Sequence, residues 1–306
     1  MNNFTKHFIL ILVWLAVPCL ANAQLKVVAT TADLASIAQE IGGKAVEVSS
    51  LARPTEDPHF VDAKPSFIVK LNRADVLIEG GAELEIGWLP ALLEQSRNEK
   101  IAVGAPGHIS CASVVSMLEV PKSLDRSLGD VHAAGNPHYL TDPLNGRKVA
   151  ELISNSLCKI DQPSCELYKS NFKLFSAKLD SKLAEWKATL APFKGSQIVA
   201  YHNSWPYFAE RFGIIINLFL EPKPGIPPTP ANLAEVITQM NQKGIHVIIV
   251  DPYLNRRTAE TVARNTSAQV VDVAQFPGGV LGTEGGYIEL IDHLVTSIAK
   301  ALATKN

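Results

Sequence analysis

The segment from Gly129 to Pro143, GDVHAAGNPHYLTDP, carries His132 and His138 among Gly, Asn, Pro and Asp residues that exclude regular helix or strand. A loop of this composition is shaped by the scaffold beneath it and is a frequent mount for functional side chains. Two more of the eight histidines stand in similar places. His59 lies in Arg53-Pro54-Thr55-Glu56-Asp57-Pro58-His59-Phe60, and His202 directly follows the apolar run Gln197 to Tyr201. Neutral imidazole is the favoured nitrogen ligand of Zn²⁺ and also suits Ni²⁺ and Cu²⁺. Taken singly, each would be an ordinary surface histidine; imidazoles in loops that follow strands or precede helices can meet in one cleft. The remaining four offer less. His7 is in the N-terminal apolar stretch, His293 is on a helical pattern between Asp292 and Leu294, His246 opens a strand, and His108 follows Pro106-Gly107.

The elements that must position these residues alternate regularly. Apolar β-rich runs at Leu25 to Thr30, Val46 to Leu51, Val76 to Gly80 and Ile101 to Val103 are separated by helical patterns at Leu34 to Ile41, Pro65 to Asn72 and Leu84 to Gln95. Strands spaced by helices of this length make parallel βαβ units. Asp142-Pro143 caps a helix running to about Ser156. A pattern from Cys165 to Leu190 then runs without Gly or Pro, and Tyr168, Phe172, Phe175, Leu179, Leu183 and Trp186 form one apolar stripe along it. As a helix it is about 39 Å long, enough to run along two lobes. The alternation resumes with strands at Gln197 to Tyr201, Ile214 to Leu220, Val247 to Val250 and Val270 to Val273. Helices fall at Pro206 to Phe212, Ala231 to Gln242, Arg257 to Asn265 and Tyr287 to Ala303. The expected fold is therefore α/β, two doubly wound lobes with mostly parallel sheets joined by one long helix. Ligands of such sheets bind at the carboxyl ends of the strands.

Lys6, the apolar run Phe8 to Ala16 and Ala21-Asn22-Ala23 before Gln24 form the pattern of a secretory leader cleaved after Ala23. Cys19 is a poor lipidation site because Pro18 precedes it. The expected organisation is a leader at 1–23, a first lobe at 24–160, a linking helix at 161–194 and a second lobe at 195–306, since roughly 280 residues exceed one hydrophobic core. No later apolar run is long enough to span a bilayer. The formal charge of −2 gives no basic footprint for nucleic acid. Cys158 and Cys165 flank the turn Asp161-Gln162-Pro163, and export to an oxidising compartment favours a disulfide between them. Cys111, beside Val114, Val115 and Met117, is expected to be a buried apolar residue.

Several motifs occur together: Asp57-Pro58-His59; Gly129-Asp130-Val131-His132 with Asn136-Pro137-His138 and Asp142-Pro143; Tyr201-His202-Asn203-Ser204-Trp205 with Tyr207-Phe208; and Glu221-Pro222 with Pro227 to Pro230. In this order and spacing the chain resembles the solute-binding proteins of bacterial zinc and manganese ABC importers, the zinc-type members most. The likeness spans essentially the whole mature chain. It implies two lobes joined by a rigid helix, a metal ion held between them, and ligand positions at His59, His138 and His202.

The family's third position can be Glu in manganese binders, and here it is His202. Its fourth ligand is commonly an acidic residue in a late loop, but Phe276 to Thr283 holds no carboxylate before Glu284. Either Glu284 swings in or water fills that position. Asp251, at the end of Val247 to Val250, is expected to support the cleft rather than bind the ion. Glu56 and Asn136 are candidate partners for the outer nitrogens of the ligand imidazoles. His132 is expected to shape its own loop rather than relay metal. Lys122 to Leu128 is short and mixed in charge, so the His-rich arm of many zinc members is missing. A three-nitrogen set favours Zn(II) over Mn(II) as the carried ion.

The expectation is thus a monomeric periplasmic carrier that hands zinc to a membrane permease. The alternatives are a manganese or iron carrier, an adhesin-like surface protein, and a zinc enzyme. Three histidines and a water would suit an enzyme, but no base is assembled beside them.

Overall fold

The computed structural model describes residues 23–123, 129 and 132–304. The apolar leader, Leu124 to Leu128, Asp130 and Val131 fall outside the described residues. The first lobe runs β1 (Leu25–Ala29), α1 (Ala32–Gly42), β2 (Val46–Ser50), α2 (Pro65–Asn72), β3 (Val76–Glu79), α3 (Leu89–Ser96) and β4 (His108–Ser110). Its strands form a parallel sheet in the order β2-β1-β3-β4. The central strands read Val27-Val28-Ala29 and Val76-Leu77-Ile78 without polar interruption because helices cover both faces of the sheet.

Two helices follow, α4 (Pro143–Ile160) and α5 (Cys165–Leu190). Asp142 caps α4 by accepting from Leu144 N–H at 2.9 Å, with Pro143 in the first turn where its missing N–H costs nothing. The second lobe runs β5 (Val199–Ala200), α6 (Pro206–Phe212), α7 (Pro230–Lys243), β6 (Val247–Val250), α8 (Arg256–Thr266), β7 (Gln269–Asp272) and α9 (Tyr287–Ala303). Its sheet is parallel in the order β5-β6-β7. Among the described residues no helix is long and apolar enough to cross a membrane.

The stripe on α5 is buried as its spacing demands, with only Phe172 partly open. It packs against α1 and α4 of the first lobe and α9 of the second. Trp186 Nε1 donates to Asp292 on α9 at 3.0 Å, and Asn171 donates to the Ile41 carbonyl on α1 at 2.9 Å. One apolar core therefore runs from Val27 and Ile78 through α5 to Ile249 and Ile298, and each lobe adds a smaller core on its far side. Tyr287 at the start of α9 lies flat against Gly146 of α4, where a Cβ would collide with its ring, and its hydroxyl donates to the Leu140 carbonyl at 2.7 Å. Cys158 and Cys165 form a disulfide from the end of α4 to the start of α5, while Cys111 is a buried free thiol.

Two strands differ from expectation. Ile101 ends a short 3₁₀ turn and Val103 is 86% exposed; the fourth strand begins instead at His108, where the chain reaches Leu77 of β3. Gly107 makes that arrival possible, since a Cβ there would strike the carbonyls of Lys100 and Asp75. Ile214 to Leu220 runs beside the 197–200 segment through isolated parallel bridges, Ile215 to Gln197 and Phe219 to Ala200 of β5, rather than as a continuous strand.

Candidate metal centre

Three loops meet where the two lobes face each other. His59 comes from the segment after β2, His138 from the turn entering the Tyr139–Thr141 3₁₀ helix, and His202 from the residues just after β5. One ring nitrogen of each lies within 4.8 Å of those of the other two. The ring centroids are 5.1, 5.7 and 5.5 Å apart, and the rings meet edge to face at 63°, 67° and 84°. Imidazole lone pairs lie in the ring plane, so face-to-face rings would hold them parallel, whereas rings turned edge-on can point them at one centre.

Two of the imidazoles, His59 and His202, are fixed from behind by carboxylates. Asp57 accepts from the His59 backbone N–H at 3.0 Å and from its Nδ1 at 2.8 Å, so a tight Asp-Pro-His turn sets both the loop and the ring. Burial would raise the Asp57 pKa, but the hydrogen bonds and charge of His59, joined by the charge of His202, together hold the carboxyl below its ordinary pKa. Glu221 accepts from His202 Nδ1 at 2.7 Å. Burial would lower the His202 pKa, but Glu221, with the charges of Asp57 and Asp251 behind it, reverses this and raises it. Nδ1 of both rings is thereby occupied, which leaves Nε2 to face the centre.

His138 is the most enclosed of the three at 6% exposed. Burial, and then the charges of His59, His202 and His132, push its pKa well below the ordinary value, opposed only by a hydrogen bond with the Gln275 side chain. Gln275 donates from Nε2 to Tyr253 Oη at 2.6 Å and to Asp251 at 3.3 Å, so its orientation is fixed from the second lobe. His138 Nε2 is buried without a hydrogen-bond partner. An orphaned, neutral ring nitrogen beside two others is the donor chemistry of a transition-metal site.

The other expected residues fall into supporting places or elsewhere. Glu56 does not reach a histidine: it accepts from the Arg53 N–H at 3.2 Å, and Asp57 has the ring, because a side chain two residues back closes this turn. Asn136 shapes the His138 loop instead of meeting its ring. Its side-chain Oδ1 accepts from His138 N–H at 3.0 Å, and its Nδ2 donates to Glu119 and to the Asn203 carbonyl across the cleft. His132 stacks on His59 at 5.2 Å and 30°, with its ring bonded to the Glu83 backbone, and it stands outside the three-nitrogen group. Burial and then the charges of His59 and His202 lower its pKa to about 4.

Asp251 is 2% exposed, and burial raises its pKa to about 7. It touches Gln275 and is not in the group. Glu284 is exposed, its carboxylate accepting from Gly282 N–H at 2.9 Å, and the structure does not bring it to the histidines. Gln275 escaped the sequence reading altogether: a lone amide in Val273-Ala274-Gln275-Phe276 carries no signal of its own. Asp57 and Glu221 were legible only as members of motifs.

The description of the ZnuA family, zinc-uptake complex component A, periplasmic, matches residues 27–301. A manganese ABC transporter substrate-binding lipoprotein, PsaA of Streptococcus anginosus, is 24% identical over 289 residues, covering 92% of this chain and 90% of its own. The iron-binding protein YfeA of Yersinia pestis is 26% identical over 284 residues, covering 90% and 85%. Among solved structures, a crystal structure of ZnuA superposes with a TM-score of 0.77 at 20% identity over 91% of this chain and 99% of that one, which shows a shared fold. With nearly the whole described chain inside the match, the protein belongs to the ZnuA family, and is a metal-binding solute-binding protein of an ABC importer rather than an enzyme.

Proposed function

We propose that the protein captures Zn(II) outside the cytoplasm with Nε2 of His59, His138 and His202 and delivers it, as a monomer, to the membrane permease of its importer. The observation that carries this reading is the group of three imidazole nitrogens within 4.8 Å that contains no carboxylate. Nitrogen-rich tetrahedral sites suit zinc, whereas manganese favours more oxygen donors. Water takes the fourth position in this account, since the Glu284 carboxylate is turned to its own loop. Asp57, Glu221 and Gln275 orient the three rings, and Asn136 and His132 shape the loop that brings His138 in. The leader ending at Ala23 and the Cys158–Cys165 disulfide support a periplasmic location.

A manganese or iron carrier on the same scaffold is the second reading, and the names of the relatives favour it. Equilibrium dialysis of the mature chain against zinc, manganese and iron(II) in competition separates the two. Stoichiometric zinc that excess manganese does not displace is expected. Tight manganese binding with weak zinc binding would sink the zinc assignment.

A further inference from the structure

We propose that the first lobe holds a second binding site, unrelated to the metal, for a small organic cation carried on an apolar body. A cavity of about 690 Å³ opens between α3, the turn from Glu99 to Gly107 and the edge strand β4. That volume lies within the range of small-molecule sites. None of the three clustered histidines lines it.

Its walls are Ile86, Leu89, Leu93, Ile101 and Val103. Ile86 and Val103 are 66% and 86% exposed, a large apolar area to leave in water on a lobe whose other apolar side chains are mostly packed. An apolar body entering the cavity would cover both.

The polar groups around the cavity choose the sign of the guest. Glu79, Glu83, Glu94 and Glu99 line it against Arg97 and His108; of these Glu79 is paired with His108 and Glu83 accepts from the Ala133 N–H, so Glu94 and Glu99 are the carboxylates that face a guest. Glu85 also borders it, but that carboxyl is taken up by Thr30, Gly80 and Gly81. At the inner end the His108 side chain is 5% exposed and its Nε2 lies 3.3 Å from the Glu79 carboxylate, so this pair closes the cavity floor. An ammonium or guanidinium among these carboxylates is favoured and a carboxylate opposed, while the apolar walls require more than a bare metal ion or polyamine to fill them.

The test uses the metal-loaded mature chain and two isosteric probes, phenylbutylammonium and phenylpentanoate, titrated by calorimetry with protein-observed NMR to locate the shifts. The ammonium should saturate with a Kd of about 1 mM or tighter, shift resonances of α3 and the 99–107 turn, and bind about tenfold more tightly than the carboxylate. Ala102→Trp, which fills the cavity from an exposed position, and the exposed pair Glu94→Gln/Glu99→Gln should each weaken the ammonium several-fold while zinc stoichiometry is unchanged. Equal affinity for the two probes, no saturation below about 10 mM, or undiminished binding in both variants would overturn the proposal.

Discussion

His138 is buried and His202 half-buried, both are loop-borne and each has a ring nitrogen within 4.8 Å of the other's, yet their pKa values move in opposite directions. The cause lies behind each ring. His202, from the second lobe, is backed by the Glu221 carboxylate, whose charge and hydrogen bond overcome desolvation. His138, from the first, is backed by the neutral Gln275 amide, and desolvation prevails. Burial alone therefore does not set the protonation of the site; the charge of the orienting partner does. One half is a neutral donor ready for metal, and the other is a stronger base for which protons compete.

The largest expected effect comes from removing one half outright. His202→Ala leaves only the first-lobe histidines, and zinc affinity should fall by well over the roughly hundredfold that a ligand-orienting residue is worth; competition against a chelating dye reads it. Glu221→Gln keeps the ligand and removes the charge. Zinc affinity at pH 8 should fall roughly 10- to 100-fold. The sign on the pH axis is opposite: without the carboxylate the His202 pKa drops, protons compete less, and the variant should lose proportionately less affinity than wild type as pH falls to 6.

Gln275→Glu makes the two halves alike. It should raise the His138 pKa, readable by NMR titration of the ring, and steepen the loss of zinc below pH 7 by about tenfold. If Gln275→Glu leaves that pH dependence unchanged, the contrast between the halves has another origin.

The smallest effect is on the metal-free fold. Asp251 has a pKa of about 7 against an ordinary 3.8. A group raised in the fold contributes stability that is present below its unfolded pKa and lost as pH rises through its folded one, here between about 4 and 7. Asp251→Asn should therefore raise the melting temperature at pH 8 by about 2–4 °C and change little near pH 4, as read by calorimetry.

What the sequence disclosed follows the same division between local and tertiary causes. The α5 helix was legible from end to end because an unbroken apolar stripe and the absence of Gly and Pro are local facts. The three histidines were legible because their loops carry motifs. The fourth strand was misplaced because Ile101 to Val103 is apolar enough for a strand, and only packing places its register at His108. The partners of the rings were harder still. Asp57 could have been preferred to Glu56 from the spacing of the Asp-Pro-His turn, but nothing local marks Gln275, whose role depends on Tyr253 and Asp251 holding it across the cleft. Glu284 was singled out for its charge, and its own loop holds it away.

A crystal structure of the zinc-loaded mature chain is the sharpest check on a three-nitrogen centre built from both lobes. Zinc should be bound by Nε2 of His59, His138 and His202, with water as the fourth ligand and with Asp57 and Glu221 still on the outer nitrogens of His59 and His202. Zinc bound without one of these histidines, or with Asp251 or Glu284 in its place, would contradict it.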